Sequence, residues 1–201
     1  MTTDTSNLRL QQQFEFLSEA DKLKKIERQN ILTDSSRREN SAEHSWHLTL
    51  LAIILAEYAA EPLDLFRVVK MLVLHDLVEI DAGDTFVHTA EELTQQAERE
   101  QVAASRIFAL LPPDQAQDML ACWREFEAGH SAEAKFAKSL DRVQPALLHE
   151  ATDAVIWQKN GITKTQILAR MKEVRENTPR LWPKVSAIIE QAAAKGRLHG
   201  S

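Results

Sequence analysis

The sequence predicts an all-α fold, a single helical bundle, and three observations carry that expectation. Gly and Pro are scarce, five and six in 201 residues, so few positions interrupt a helix. Charged residues make up 27% of the chain, and runs of Ala, Leu, Glu, Lys and Gln favour helices. Apolar residues recur at three- and four-residue spacing, with no strand of any length, no repeat and no low-complexity segment.

Taken in order, residues 1–9 read as a flexible tail, 10–195 as one domain and 196–201 as a C-terminal tail. Phe14, Leu17, Leu23 and Ile26 mark one or two helical segments reaching about Arg28. Residues 29–39 read as a loop rich in side chains that bond backbone or anions. Asn40 and Glu43 have the spacing of a capping box. The helix they start carries His44, Leu48, Leu51 and Leu55 on one stripe and ends before Pro62. The next is expected from Leu63 to Glu79, stopped by Asp81-Ala82-Gly83-Asp84. Residues 89–111 form a long amphipathic helix with a charged face, broken at Pro112-Pro113. Residues 114–127 form another, with Met119, Leu120, Trp123 and Phe126 as its apolar side. After Gly129 and Ser131, the stripe Phe136, Leu140, Val143 and Leu147 predicts a helix that Pro145 should kink or loosen. Two closing helices, 163–175 and 179–195, complete the chain.

Composition narrows the function. Hydrophobic residues make up 44%, normal for a soluble globular domain. The net charge is −6, so extended nucleic acid is a poor partner. The single cysteine, Cys122, fits a reducing compartment. No stretch reads as a signal peptide or a membrane span, and the expected location is the cytoplasm.

The chemistry concentrates in Leu72–Thr85. His75 and Asp76 interrupt an apolar run, and Glu79 follows one turn later, so one helical face can carry all three. Burying such groups is costly unless something pairs with them. His44 and Asp141 also lie beside apolar stripes, on other helices. Two imidazoles and two carboxylates suit one divalent ion: Co, Mn, Fe, Ni, Zn or Mg. Arg28, Arg37 and Arg38 stand in or beside the loop of residues 29–39 and can clamp an anion. His47 is either a neighbour of the ligands or exposed. Trp46, Trp123, Trp157 and Trp182 read as core or interface.

The order His44, His75-Asp76, Asp141 resembles the HD-domain metal-dependent phosphohydrolases. The flanks Arg38-Glu39-Asn40-Ser41-Ala42-Glu43-His44-Ser45 and His75-Asp76-Leu77-Val78-Glu79-Ile80-Asp81-Ala82-Gly83-Asp84 are similar to the branch holding the bacterial 5′-deoxynucleotidases. The resemblance covers about residues 10–195 and implies an HD-domain helical bundle. It implies that His44, His75, Asp76 and Asp141 hold one metal ion. Glu79 then acts on the attacking water or leaving oxygen, Asp84 lies near the sugar or scissile phosphate, and Arg28 contacts phosphate. His88 and His130 do not match the positions that two-metal members use. The deoxynucleotidase pattern has a tryptophan shortly after that arginine. This chain has Gln29-Asn30-Ile31 there, so the motif does not carry sugar selectivity over.

The resulting expectation is phosphate release from nucleoside 5′-monophosphates, deoxynucleotides above all, through a metal-activated water. The substrate is a small nucleotide, no membrane is involved, and the resemblance implies a homodimer. Two alternatives stand beside it: hydrolysis of a nucleoside triphosphate or guanosine alarmone, and a catalytically silent nucleotide-binding module.

Overall fold

The computed structural model describes residues 2–83 and 90–200. The all-α expectation holds, with one small addition. Helix α1, Thr2–Ala20, begins inside the segment read as a tail and leads through a 3₁₀ turn, Asp21–Lys25. Strands β1, Glu27–Ile31, and β2, Arg38–Asn40, then form an antiparallel hairpin where a loop was expected. Pairing runs from Glu27 opposite Asn40 to Ile31 opposite Arg38, with an irregularity between them. Four residue steps thus face two, which bends β1. The polar sequence of β1 gave no strand signal, because its partner fixes it rather than its own alternation.

Helix α2, Ser41–Leu55, starts at the predicted capping box. Asn40 accepts from the Glu43 backbone N–H at 2.9 Å, and the Glu43 carboxylate accepts from the Asn40 N–H at 3.1 Å. Losing such a cap costs about 0.5–2 kcal/mol. Its buried stripe is Ser41, His44, Ser45, Leu48 and Ala52. Its other side leaves Trp46, Leu50, Ile53 and Ile54 exposed.

Helix α3, Leu65–Leu74, is capped by Asp64 and buries Val68, Met71, Leu72 and Leu74. It does not run on to Glu79 as expected. The backbone tightens into a 3₁₀ turn at His75–Val78, and α4, Glu79–Ala82, follows. Trp123 donates its indole N–H to the His75 carbonyl at 3.2 Å, giving that carbonyl a partner from another helix. In a 3₁₀ segment residues three apart eclipse, which sets Asp76 and Glu79 on one edge. Gly83, at φ 74°, ends α4 in a conformation that favours glycine.

Helices α5, Ala90–Phe108, and α6, Pro113–Ala128, match their predicted spans closely, and Gly129 ends α6 in the left-handed region. Helix α7, Ala132–Ala151, is the central one. It packs against α2, α3, α6 and the closing helices, and it continues through Pro145. The end of the chain is more divided than expected. Helix α8, Val155–Lys159, stands between the predicted helix through Leu147 and the first closing helix, and Asp153 and Ala154 before it have positive φ. The first closing helix splits at Met171 into α9, Lys164–Arg170, and α10, Lys172–Asn177, and the last, α11, spans Trp182–Ala194. Leu48, Val68, Met71, Leu72, Ile107, Phe108, Leu140 and Ile189 form the fully buried centre. No helix among the described residues is long and apolar enough to cross a membrane.

Candidate metal centre

Two helices and one 3₁₀ turn bring the predicted ligands together. His44 enters from the first turn of α2, His75 and Asp76 from the 3₁₀ turn, and Asp141 from the middle of α7. One ligand atom each from His44, His75 and Asp141 lie within 4.8 Å of one another. His44 Nε2 is 2.9 Å from Asp141 Oδ1 and 3.9 Å from Asp76 Oδ2. His75 Nε2 is 3.0 Å from Asp76 Oδ1 and 3.9 Å from Asp141 Oδ1. All four residues are buried or half-buried.

The far side of each imidazole is anchored. His75 Nδ1–H donates to the Leu72 carbonyl at 2.9 Å, which leaves Nε2 facing the carboxylates. His44 Nδ1 lies 3.0 Å from Gln144 Oε1. Such outer hydrogen bonds fix the ring tautomer in metal sites. His75 Nε2 is buried and makes no hydrogen bond of acceptable geometry among the described residues, although Asp76 stands beside it. Nitrogen lone pairs directed at carboxylate oxygens need a cation between them, either a proton or a metal. The donor set, two imidazole nitrogens and two carboxylates, fits a divalent metal ion.

The electrostatics agree. Burial opposes a charged His75, yet Asp76 and Asp141 lift it to about 9. Burial likewise opposes a charged Asp76, but His75 and Arg28 hold it down to about 2. Asp141 is held well below the carboxylate range, against burial, by His44 and Arg142. The two carboxylates thus stay ionised and favour a cation at the imidazoles, a proton or a metal ion.

Arg28 reaches this edge from the hairpin. Its Nη1 donates to Asp76 Oδ2 at 2.7 Å and lies 3.8 Å from Glu79 Oε1. Glu79 is 9% exposed, and its Oε2 accepts from Ser41 Oγ at 2.6 Å. Two of the predicted residues, Arg37 and Arg38, are not brought here. Arg37 pairs with Glu43 on the outer side of the hairpin, and neither Arg37 nor exposed Arg38 lines the cleft. Asp84 and His88 fall outside the described residues. His130 is exposed, and His47 is half-buried against Gln144.

A cleft of about 820 Å³ opens over Asp76, Glu79 and Asp141. Arg28, Arg142, Arg170 and Lys172 give it cationic groups, and Trp157, Ile162, Ile167 and Met171 give it an apolar wall. His149, against the Trp157 ring at 4.2 Å, is pushed down by burial to about 4 and is a neutral part of that wall.

Sequence reading missed Glu39, Ser41, Gln144 and Arg142. Two of them had a signal, since Gln144 lies three residues after Asp141 and Ser41 three before His44 on their helices. Glu39 sits outside α2, and only the hairpin pairing turns it inward.

The HD-domain family model matches residues 20–182. The human 5′-deoxynucleotidase HDDC2 is 29% identical over 136 residues, 66% of this chain and 64% of that protein. The bovine protein of the same name is 28% identical over 134 residues, with the same coverage. The match thus spans less than two thirds of the length of these relatives. Among solved structures, a predicted metal-dependent phosphohydrolase from Magnetospirillum magnetotacticum MS-1 is 46% identical. It has a TM-score of 0.89 and covers 95% of this chain and 96% of its own. The PH0347 protein from Pyrococcus horikoshii OT3, 17% identical with a TM-score of 0.63 over 89% of this chain, shares the fold.

Proposed function

The chain belongs to the HD-domain family, and on that footing we propose that it is a metal-dependent phosphohydrolase of nucleoside 5′-monophosphates, deoxynucleotides foremost. The observation that carries the reading is the convergence of two anchored imidazoles on Asp76 and Asp141 at the wall of a nucleotide-sized cleft. The names of the relatives support it, 5′-deoxynucleotidase for the human protein and metal-dependent phosphohydrolase for the Magnetospirillum one.

In this reading His44, His75, Asp76 and Asp141 hold one divalent ion. That ion supplies Lewis-acid charge to the phosphoryl group and acidifies a water molecule. The protein does the rest. Arg28, set by Asp76, adds fixed positive charge on the side where the phosphate enters. Glu79, oriented by Ser41, takes a proton from the attacking water or returns one to the leaving 5′ oxygen. The family pattern assigns Asp84, the residue after Gly83 in the chain, to the sugar or the scissile phosphate. The Trp157 side of the cleft offers an apolar surface to the nucleoside.

The test is phosphate release from a panel of ribo- and deoxynucleoside monophosphates with Co²⁺ or Mn²⁺. Inorganic phosphate from a 5′-monophosphate supports the reading. Triphosphate or pyrophosphate products redirect it to another nucleotide, and binding without turnover makes the chain a silent module. A homodimer belongs to the same reading, supported by the exposed apolar side of α2 at Trp46, Leu50, Ile53 and Ile54. Light scattering at twice the 22.8 kDa chain mass is expected, and a monomer mass removes that part.

A further inference from the structure

We infer that Glu39 and Gln144 form a positioning relay that fixes the tautomer of His44, so that Nε2 is the nitrogen offered to a divalent cation. The inference rests on the metal reading of His44 and adds two residues to it. Gln144 is fully buried in the middle of α7, and Glu39 is 2% exposed in the middle of β2. Buried polar groups favour hydrogen-bonded partners. Glu39 has one on Oε1, while its Oε2 has none among the described residues.

The amide of Gln144 has one orientation that satisfies all its neighbours. Its Nε2 donates to Glu39 Oε1 at 2.6 Å and lies 3.2 Å from His47 Nδ1. Burial raises Glu39, while His44, Arg28 and the Gln144 N–H oppose that shift. With Glu39 ionised its oxygens only accept, so the atom facing it is the NH₂ group. Burial, and then His44, hold His47 below its ordinary value, which leaves it neutral and able to accept the second N–H. Both amide hydrogens are thus assigned, and Oε1 is the atom left toward His44 Nδ1, 3.0 Å away. A carbonyl oxygen can only accept. The proton of a neutral His44 must then sit on Nδ1, and the lone pair on Nε2 faces Asp141. The chain Glu39 to Gln144 to His44 converts one buried carboxylate into a fixed tautomer on another element. Glu39 Oε2 also lies 3.7 Å from His44 Nδ1 and 4.0 Å from Arg28 Nε. The same carboxylate thus adds negative charge beside a candidate metal ligand and the candidate phosphate arginine.

Calorimetric titration with Co²⁺ and nitrogen-15 NMR of the Zn²⁺-loaded protein test the relay. Gln144→Leu removes the acceptor and is expected to weaken Co²⁺ binding about 10- to 100-fold. Exchanging the pair, Glu39→Gln with Gln144→Glu, keeps one amide bonded to one carboxylate. It again presents an accepting oxygen to His44, and His47 can donate to the same carboxylate. That double variant is expected to recover most of the lost affinity, which a purely structural role for Gln144 would not produce. In the parent protein the His44 proton is expected on Nδ1, a result that needs no variant to fold. A proton on Nε2, undiminished Co²⁺ binding by Gln144→Leu, or a swapped pair no tighter than Gln144→Leu overturns the relay. Failure of the parent protein to bind Co²⁺ overturns the metal reading itself, and the relay with it.

Discussion

Glu79→Gln is expected to slow phosphate release by about 10²- to 10⁴-fold while the metal stays bound. The substitution keeps the shape of a side chain that is 9% exposed and can keep the hydrogen bond from Ser41. It removes the ability to hold a proton at that position. Glu79 lies outside the group formed by His44, His75 and Asp141, and Arg28 stands 3.8 Å from its carboxylate. Metal content should therefore stay at the parent value, with the loss falling on kcat more than on KM. A variant that keeps its rate removes Glu79 from the chemistry. One that loses metal makes Glu79 a ligand instead.

His75→Ala is expected to weaken metal binding by more than about 100-fold, beyond what losing an outer hydrogen-bond partner costs. The ring is 5% exposed and opposes two carboxylates at 3.0 and 3.9 Å. Thermal melting gives a second readout that does not depend on activity. A ligand at a hundred times its Kd adds about 2.7 kcal/mol to the stability of the state that binds it. For a chain of this length that is a rise in Tm of roughly 5–10 °C. The parent should show that rise with Co²⁺ or Mn²⁺ and lose it with a chelator. The variant should melt at one temperature with or without metal. An equal metal-dependent rise in the variant would take His75 out of the site.

Much of this centre was legible in the chain, and what was hidden has a physical reason. His44, His75, Asp76 and Asp141 could be found because polar groups beside apolar stripes demand compensation, and that is a local signal. Arg28 was legible through the family pattern, and the structure sets it on Asp76. The hairpin was not legible, because β1 takes its form from pairing with β2 and not from alternation in Glu27–Ile31. Nor was the 3₁₀ turn at His75, which involves the Trp123 indole bound to a carbonyl 48 residues away in sequence. That turn changes the geometry first imagined for Leu72–Thr85. Asp76 and Glu79 share the edge that meets Arg28, and His75 is directed toward Asp141 and His44. Glu39 escaped notice because only the hairpin turns it inward, and the spacing of Gln144 from Asp141 does not reveal its partners until the fold sets them in place.

The central claim is that these four residues form one metal site. Anomalous diffraction at the manganese edge, from crystals grown with Mn²⁺, tests it most directly. One peak between His44, His75, Asp76 and Asp141 is predicted, absent from His75→Ala crystals grown the same way. No peak at that position in the parent, or a peak of equal strength in the variant, would contradict it.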